Sequence, residues 1–441
     1  MPERIPPHSA GKPAEPGHRA NAVSASASAT DGYSAVRPSV ARRYDFDAPT
    51  DRTGTDSLKF DRHVERGKRP DLLSLWVADM DFPCPDEAVE ALVKRARHGI
   101  FGYSEPGSAY YQAVCDWMER HHRWRPDPAW FVHTPGVVSA LALIVQAFTH
   151  PGDAVLVQQP VYYPFGSSIR NNGRHLVNCP LVYDAEAARY HIDFDAFERA
   201  VTQHNVKLFL LCNPHNPGGR AWSADELRRL GTICLRHGVI VASDEIHMDF
   251  AYSPCVHVPY ASLGDEFAQQ AIVCTSGGKT FNLAGLQTSN TIVPNPRLRR
   301  TLRAQVARSG YSQPNSLGIV ATQACYRHGD EWLAQLKRYL AGNLQLVRDH
   351  FANHAPAARV MIPDSTYLVW IDLRAWGRYG ADLERLVEED AGLWLDCGDM
   401  FGEDGDGFVR INMATQRAYL QQALQQLTDA LAAHPPTDRQ A

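Results

Sequence analysis

From Ala154 onward the chain alternates between short, wholly apolar runs and longer stretches whose apolar positions recur on one helical face. Ala154-Val155-Leu156-Val157 follows the turn signal Pro151-Gly152-Asp153, and Val206 to Cys212 is a second run that ends at Asn213-Pro214. Ser223-Ala224-Asp225-Glu226 has the Ser-x-x-Glu form of a capping box, after which Leu227, Leu230 and Cys234 share one helical face until His237-Gly238. Val239 to Ala242 is a third run, reaching Ser243-Asp244, and Ala271 to Cys274 a fourth. Continuous apolar strands separated by amphipathic helices predict an α/β fold with a mostly parallel sheet covered on both faces. Ligands of such sheets bind beyond the carboxyl ends of the strands. Three polar clusters, Asn213 to Asn216, Asp244 to His247 and Ser276 to Lys279, each fall just past a strand end.

After Tyr311-Ser312-Gln313-Pro314-Asn315, helical patterns run from Gly318 to about His350. Tyr367 to Asp372 and Phe408 to Asn412 then read as strands of a smaller C-terminal α+β domain. The first forty or so residues are rich in Ser, Ala, Pro and Gly and hold too little apolar surface to offset the entropy of ordering. The expected organisation is a disordered tail (1–42), an N-terminal part of the small domain (43–85), a large domain (86–320), the C-terminal small domain (321–434) and a loose end (435–441).

Composition narrows the function. At 441 residues the chain is long enough for two packed domains, and no apolar run approaches the roughly 20 residues that span a bilayer. A net charge of -5 gives no support for a nucleic-acid or membrane-surface partner, and Lys94 to His98 and Arg299 to Arg303 read as solvated helix faces. The nine cysteines are scattered, odd in number and without a CxxC pair, as expected of free thiols packed as small hydrophobes in a reducing, cytoplasmic compartment. Nineteen histidines include no HExxH spacing; the one HxxxH pair, His350 and His354, lacks a further ligand, and His121-His122 lies in a charged helix end. No metal site is expected.

One lysine stands out. Ser276-Gly277-Gly278-Lys279-Thr280 places it in a glycine-rich turn behind an apolar strand, where a lysine can form a Schiff base with an aldehyde cofactor. Gly136-Val137-Val138 opens the apolar helix Ala140 to Phe148, whose free N–H groups and positive end suit a phosphate.

As an ordered set, the strand-end clusters resemble the fold-type I, pyridoxal-phosphate-dependent aminotransferase superfamily (class I/II). Within it they resemble the subgroup of MalY/PatB-type cystathionine β-lyases, or C–S lyases. The segments that carry the match are Trp76 to Phe82, Phe101 to Ser104, Thr134 to Val138, Pro160 to Phe165, Ser243 to His247 and Lys279 to Gln287, and the likeness runs from about Tyr44 to Leu427. It implies the transferase fold of that superfamily, with a large domain built on a seven-stranded type of sheet between helices, and pyridoxal 5'-phosphate as cofactor.

The resemblance also assigns roles. Lys279 matches the Schiff-base lysine and the base that removes the Cα proton, and Asp244 the partner of the pyridinium nitrogen. Asn216 matches the asparagine on the phenolic oxygen, although Gly218 stands where the family usually has Thr. Tyr162 resembles the aromatic stacked on the ring, and Gly136, Val137, Val138 and Ser276 the phosphate cradle. His247 stands where many aminotransferases carry Tyr, and direct contact and a supporting role both remain open for it. Arg410 resembles the arginine that grips the substrate α-carboxylate. Tyr103, which alone would read as a core residue, resembles a tyrosine reaching the phosphate of a neighbouring subunit, which implies a homodimer. Gln287 occupies a position where many aminotransferases have Arg, as in the lyase subgroup, whereas Gly278 replaces a common Ser. The implied reaction is α,β-elimination on L-cystathionine or another cysteine S-conjugate, giving a thiol, pyruvate and ammonia. The alternatives are transamination of a small L-amino acid, and a cofactor-binding regulator, whose helix-turn-helix is not expected in a tail as short and as poor in apolar periodicity as residues 1–42.

Overall fold

The computed structural model describes residues 44–436, so the expected tail (1–42) and the last residues of the loose end lie outside the described residues. Seven strands build the main sheet: β1 (Phe131–Thr134), β2 (Ala154–Val157), β3 (His175–Asn178), β4 (Leu208–Cys212), β5 (Ile240–Asp244), β6 (Ala271–Thr275) and β7 (Ser289–Ile292). Their order is β1-β7-β6-β5-β4-β2-β3. Only β7 runs antiparallel to its neighbours, β1 and β6; the others pair in parallel. Every residue of β2, β4 and β6 is buried, which is why these strands read as unbroken apolar runs rather than alternating ones.

Helices cover both faces, among them α1 (Asp86–His98), α2 (Ser108–His122), α3 (Val137–Phe148) and α4 (Ala224–Arg236). The capping box expected at Ser223 is present: its hydroxyl accepts from Glu226 N while Glu226 accepts from Ser223 N. The helical pattern after Pro314 resolves into two elements, α5 (Ser316–His328) and α6 (Asp330–His354), meeting at Gly329. A Cβ at Gly329 would lie 2.4 Å from the Phe281 ring, so the joint is packed against the turn that carries Lys279.

A second, antiparallel sheet of β8 (Arg359–Val360), β9 (Leu368–Asp372), β10 (Asp396–Cys397) and β11 (Phe408–Asn412) has the order β8-β9-β11-β10. The N-terminal segment packs here: Leu73–Ser74 pairs in parallel with Leu393–Trp394, and Asn412 Nδ2 donates to the carbonyls of Val77 and Asp79. The segment is then clamped by charge. Lys59, fully buried, donates to Asp81 at 2.7 Å, and Arg52 bridges Asp79 and Asp81 at 2.7 and 2.8 Å. Buried charges must be paired in this way, so the acidic positions of Trp76 to Phe82 are structural anchors. All nine cysteines are free thiols, six of them buried. Among the described residues, no helix is long and apolar enough to cross a membrane.

Candidate active site

The ends of β4, β5 and β6 converge. Register aligns Cys212 with Asp244 and Asp244 with Cys274 across the three strands, which brings the polar clusters after each strand to one edge. They enclose a cavity of about 230 Å³ whose wall includes Gly136, Val137, Val138, Tyr162, Asn216, Asp244, His247, Ser276 and Lys279. Nine of the eleven residues singled out in the sequence thus line one space. Arg410 sits at its edge, and Tyr103 lies elsewhere.

Lys279 belongs to a single helical turn, Gly277–Thr280, begun by Ser276, whose hydroxyl accepts from Gly278 N at 2.9 Å. Its Nζ donates to the carbonyl of Ala78 at 2.6 Å, and Tyr367 Oη donates to the same oxygen at 2.8 Å. Burial, which disfavours the ammonium, lowers the Lys279 pKa to about 8, and Arg410 nearby acts in the same direction. The amine is therefore substantially neutral, and so nucleophilic, at moderately alkaline pH.

The Asp244 carboxylate is buried and, among the described residues, accepts one hydrogen bond, from Ile246 N at 3.1 Å. Burial raises its pKa to about 7. A carboxylate so poorly matched calls for a cationic or N–H partner in the cavity. His247 is buried as well, its ring edge-on to Tyr367, and its Nδ1 has no partner among the described residues. Burial drives its pKa well down, so the imidazole is neutral.

Asn216 Oδ1 accepts from Arg410 Nη1 at 3.0 Å, and its amide nitrogen donates no hydrogen bond among the described residues. Arg410 is 2% exposed. Its Nη2 donates to Trp76 O at 2.9 Å and pairs with Asp396, which faces it across β10 and β11; its Nε has no partner among the described residues. Burial raises the Asp396 pKa, an effect that the Arg410 charge opposes.

At the opposite end, α3 starts at Gly136 with no side-chain cap, and Gly136 has φ +99°. A Cβ there would be strained and would meet Gln287 Oε1 at 3.1 Å, so the glycine keeps the cradle open beside a neutral side chain. Ser276 differs from expectation in one respect: its hydroxyl already donates to Thr288 O at 2.7 Å, so it faces the cavity as an acceptor. Gly278, found where Ser was expected, has a reason, since a Cβ would come within 3.0 Å of Ser276 Oγ. Tyr103, on the connection between α1 and α2, is not a core residue: it is 99% exposed, with Ile100 and Phe101 exposed beside it. Ala78, Gln287, Tyr367 and Asp396 join the site or its support; Gln287 and the segment bearing Ala78 carry a sequence signal, Tyr367 and Asp396 none.

These groups fit pyridoxal 5'-phosphate. Uncapped helix N–H groups suit its phosphate, the underpaired Asp244 its ring nitrogen, the free Asn216 amide its phenolic oxygen and the neutral Lys279 amine its aldehyde.

A mostly parallel seven-stranded sheet with an amine and a carboxylate at its carboxyl edge defines the class, a pyridoxal-phosphate-dependent transferase fold. The chain belongs to the aminotransferase class I and II family, which matches residues 70–427. It is 42% identical over 387 residues to Cystathionine beta-lyase PatB of Bacillus subtilis (strain 168), a match covering 88% of this chain and 100% of that relative. Among solved structures it is similar to a PLP-bound putative aminotransferase from Clostridium difficile 630, with TM-score 0.86, 36% identity and 88% and 100% of the two chains covered. Cystalysin from Treponema denticola, which contains a pyridoxal 5'-phosphate cofactor, gives TM-score 0.85 at 34% identity, covering 89% of this chain and 100% of that one.

Capture of the aldehyde needs the neutral amine. The rate of cofactor uptake by cofactor-free protein, followed by absorbance, should rise about tenfold per pH unit below the Lys279 pKa and level off near pH 8. A rate still climbing beyond pH 9 would mean that the amine is solvated like an ordinary lysine.

Proposed function

We propose that this chain is a pyridoxal-phosphate-dependent carbon–sulfur β-lyase, working as a cytoplasmic homodimer on L-cystathionine or another cysteine S-conjugate. The cavity that gathers Lys279, Asp244 and Asn216, with Arg410 bonded to Asn216 at its edge, carries this reading. The full-length likeness to a relative named for β-lyase activity favours elimination. Transamination remains the second reading, favoured by the description of the Clostridium difficile structure. In this reading residues 86–320 form the cofactor-binding domain, and 43–85 and 321–434 the smaller one.

When bound, the cofactor supplies an electron sink that makes the substrate Cα–H acidic. Arg410 holds the α-carboxylate, its guanidinium set in advance by Asp396 and Asn216. Lys279 Nζ, released to accept a proton, takes it from Cα; a pKa lowered by burial keeps this amine a base near neutral pH. Asp244 holds a proton at the ring nitrogen, and Tyr162 and His247 close the cavity around it. Loss of the Cα proton and expulsion of the Cβ thiolate are followed by hydrolysis, so that one conjugate and one water give one thiol, one pyruvate and one ammonia. Tyr103 of a second copy would complete the phosphate end, which gives the exposed segment Ile100 to Tyr103 its occupant.

Purified holoenzyme given L-cystathionine and no keto acid should release thiol, pyruvate and ammonia in equal amounts; turnover that needs an added keto acid would establish transamination instead. Sharing of the site has its own test. Lys279→Ala and Tyr103→Ala proteins, each inactive alone, should regain up to about a quarter of wild-type activity when subunits are exchanged, because half the dimers are mixed and each of those holds one intact site. Wild-type activity of Tyr103→Ala alone would place Tyr103 outside the site, and no regain on mixing would mean that it does not act across the interface.

A further inference from the structure

Behind the wall that carries Lys279 lies a second buried polar cluster, outside the cavity. At its centre is Asp249, in the turn that follows β5, with its side chain 1% exposed. Its Oδ1 accepts from Trp117 Nε1 at 2.9 Å and from His122 Nε2 at 2.8 Å, and its Oδ2 from Thr280 Oγ1 at 2.5 Å. His122, expected in a charged helix end, is instead buried against this carboxylate, whereas His121 pairs with Asp330 near the surface. Burial alone would raise the Asp249 pKa; the donors His122, Thr280 and Trp117 outweigh it and hold the carboxyl far below the usual range. It is an anion whose lone pairs join its own turn to two other elements, α2 through Trp117 and His122 and the turn of Lys279 through Thr280.

The bland role is a fold anchor between α2 and the sheet, and the Trp117 and His122 bonds serve that. The Thr280 bond differs, because Thr280 adjoins Lys279. The turn Gly277–Thr280 is too short to hold its own shape: it closes through Phe281 N to Gly277 O and Leu283 N to Gly278 O, and two of its four residues are glycine. It is fixed from outside, by Ser276 at its start and by Asp249 at its end. Lys279 must reach the cofactor aldehyde and later the substrate Cα, and an error of about 1 Å in such an alignment costs on the order of a hundredfold in rate.

We propose that Asp249, acting through the Thr280 hydroxyl, is a positioning residue for the Lys279 amine. This rests on the reading of Lys279 as the cofactor-bearing group. Among the described residues, the hydrogen bonds of the Arg410, Asn216 and Asp244 side chains go elsewhere than this cluster, so loss of the Thr280 bond should act on the amine and leave substrate binding alone.

Thr280→Val removes the hydroxyl and leaves Asp249 its other two donors; Thr280→Ser keeps the hydroxyl; Trp117→Phe removes a donor on α2 and keeps a ring against Phe281. In the holoenzyme, Thr280→Val should lower kcat about tenfold or more with KM within about twofold, and Thr280→Ser should stay within about threefold of wild type. Cofactor uptake by the cofactor-free proteins should slow about tenfold in Thr280→Val and not in Thr280→Ser. Trp117→Phe should lower the thermal midpoint while leaving kcat and uptake within about threefold. Wild-type kcat and uptake in Thr280→Val, or equal losses in Thr280→Val and Trp117→Phe, would overturn the proposal. If Thr280→Val does not fold, Thr280→Ala read against Thr280→Ser makes the same comparison. Uptake separates the two layers: capture on a side chain other than Lys279 overturns both, whereas capture on Lys279 at the wild-type rate in Thr280→Val overturns the positioning role alone.

Discussion

An amine kept out of water is the constraint around which the rest of this molecule is arranged. A solvated lysine is a cation at neutral pH and no nucleophile. Here the turn Gly277–Thr280 sets Lys279 against the strand ends, and burial lowers its pKa to about 8. The same enclosure raises the Asp244 pKa to about 7, because a carboxylate loses as much as an ammonium by leaving water. Two groups of opposite type are thereby brought towards neutrality on either side of one cavity. The protein forgoes some stability at this edge to hold reactive groups ready, a common arrangement at catalytic sites.

The scaffold that enforces this is assembled from distant parts of the chain. The Ala78 carbonyl receives both Lys279 Nζ and Tyr367 Oη, and the segment bearing it is tied down by Lys59, Arg52 and Asn412. Arg410 is locked between Asn216, Trp76 and Asp396 before any substrate arrives. Such preorganisation reduces the ordering cost at the moment of binding. Neutral Gln287, rather than a cation, lies beside the helix start at Gly136, so an anion held there would be met by N–H groups and the helix dipole rather than by the side chain at 287.

Much of this was readable from one dimension, for a physical reason. Strands buried on both faces are continuous apolar runs, so their ends are sharp, and whatever polar residue follows an end lies at the sheet's carboxyl edge; Asn216, Asp244 and Lys279 were found that way. Arg410 and the cradle at Gly136 needed the family likeness as well. The groups that hold those residues left no local trace. Asp249, Tyr367 and Asp396 meet their partners through tertiary contact, and periodicity carries no information about which buried carboxylate faces which donor. His122 looked like part of a charged helix end because its neighbours Arg120, His121 and Arg123 are polar, yet helical geometry turns it inward. Tyr103 alone reads as a core position and is nonetheless exposed, which nothing in the local pattern signals.

Reductive trapping of the holoenzyme tests the central claim most directly. Borohydride should fix the cofactor irreversibly to the protein, and mass spectrometry of the digested product should find the added mass on Lys279, with Lys279→Ala showing neither the trapped mass nor the visible absorption of the bound cofactor. Trapping on a different lysine, or undiminished absorption in Lys279→Ala, would contradict it.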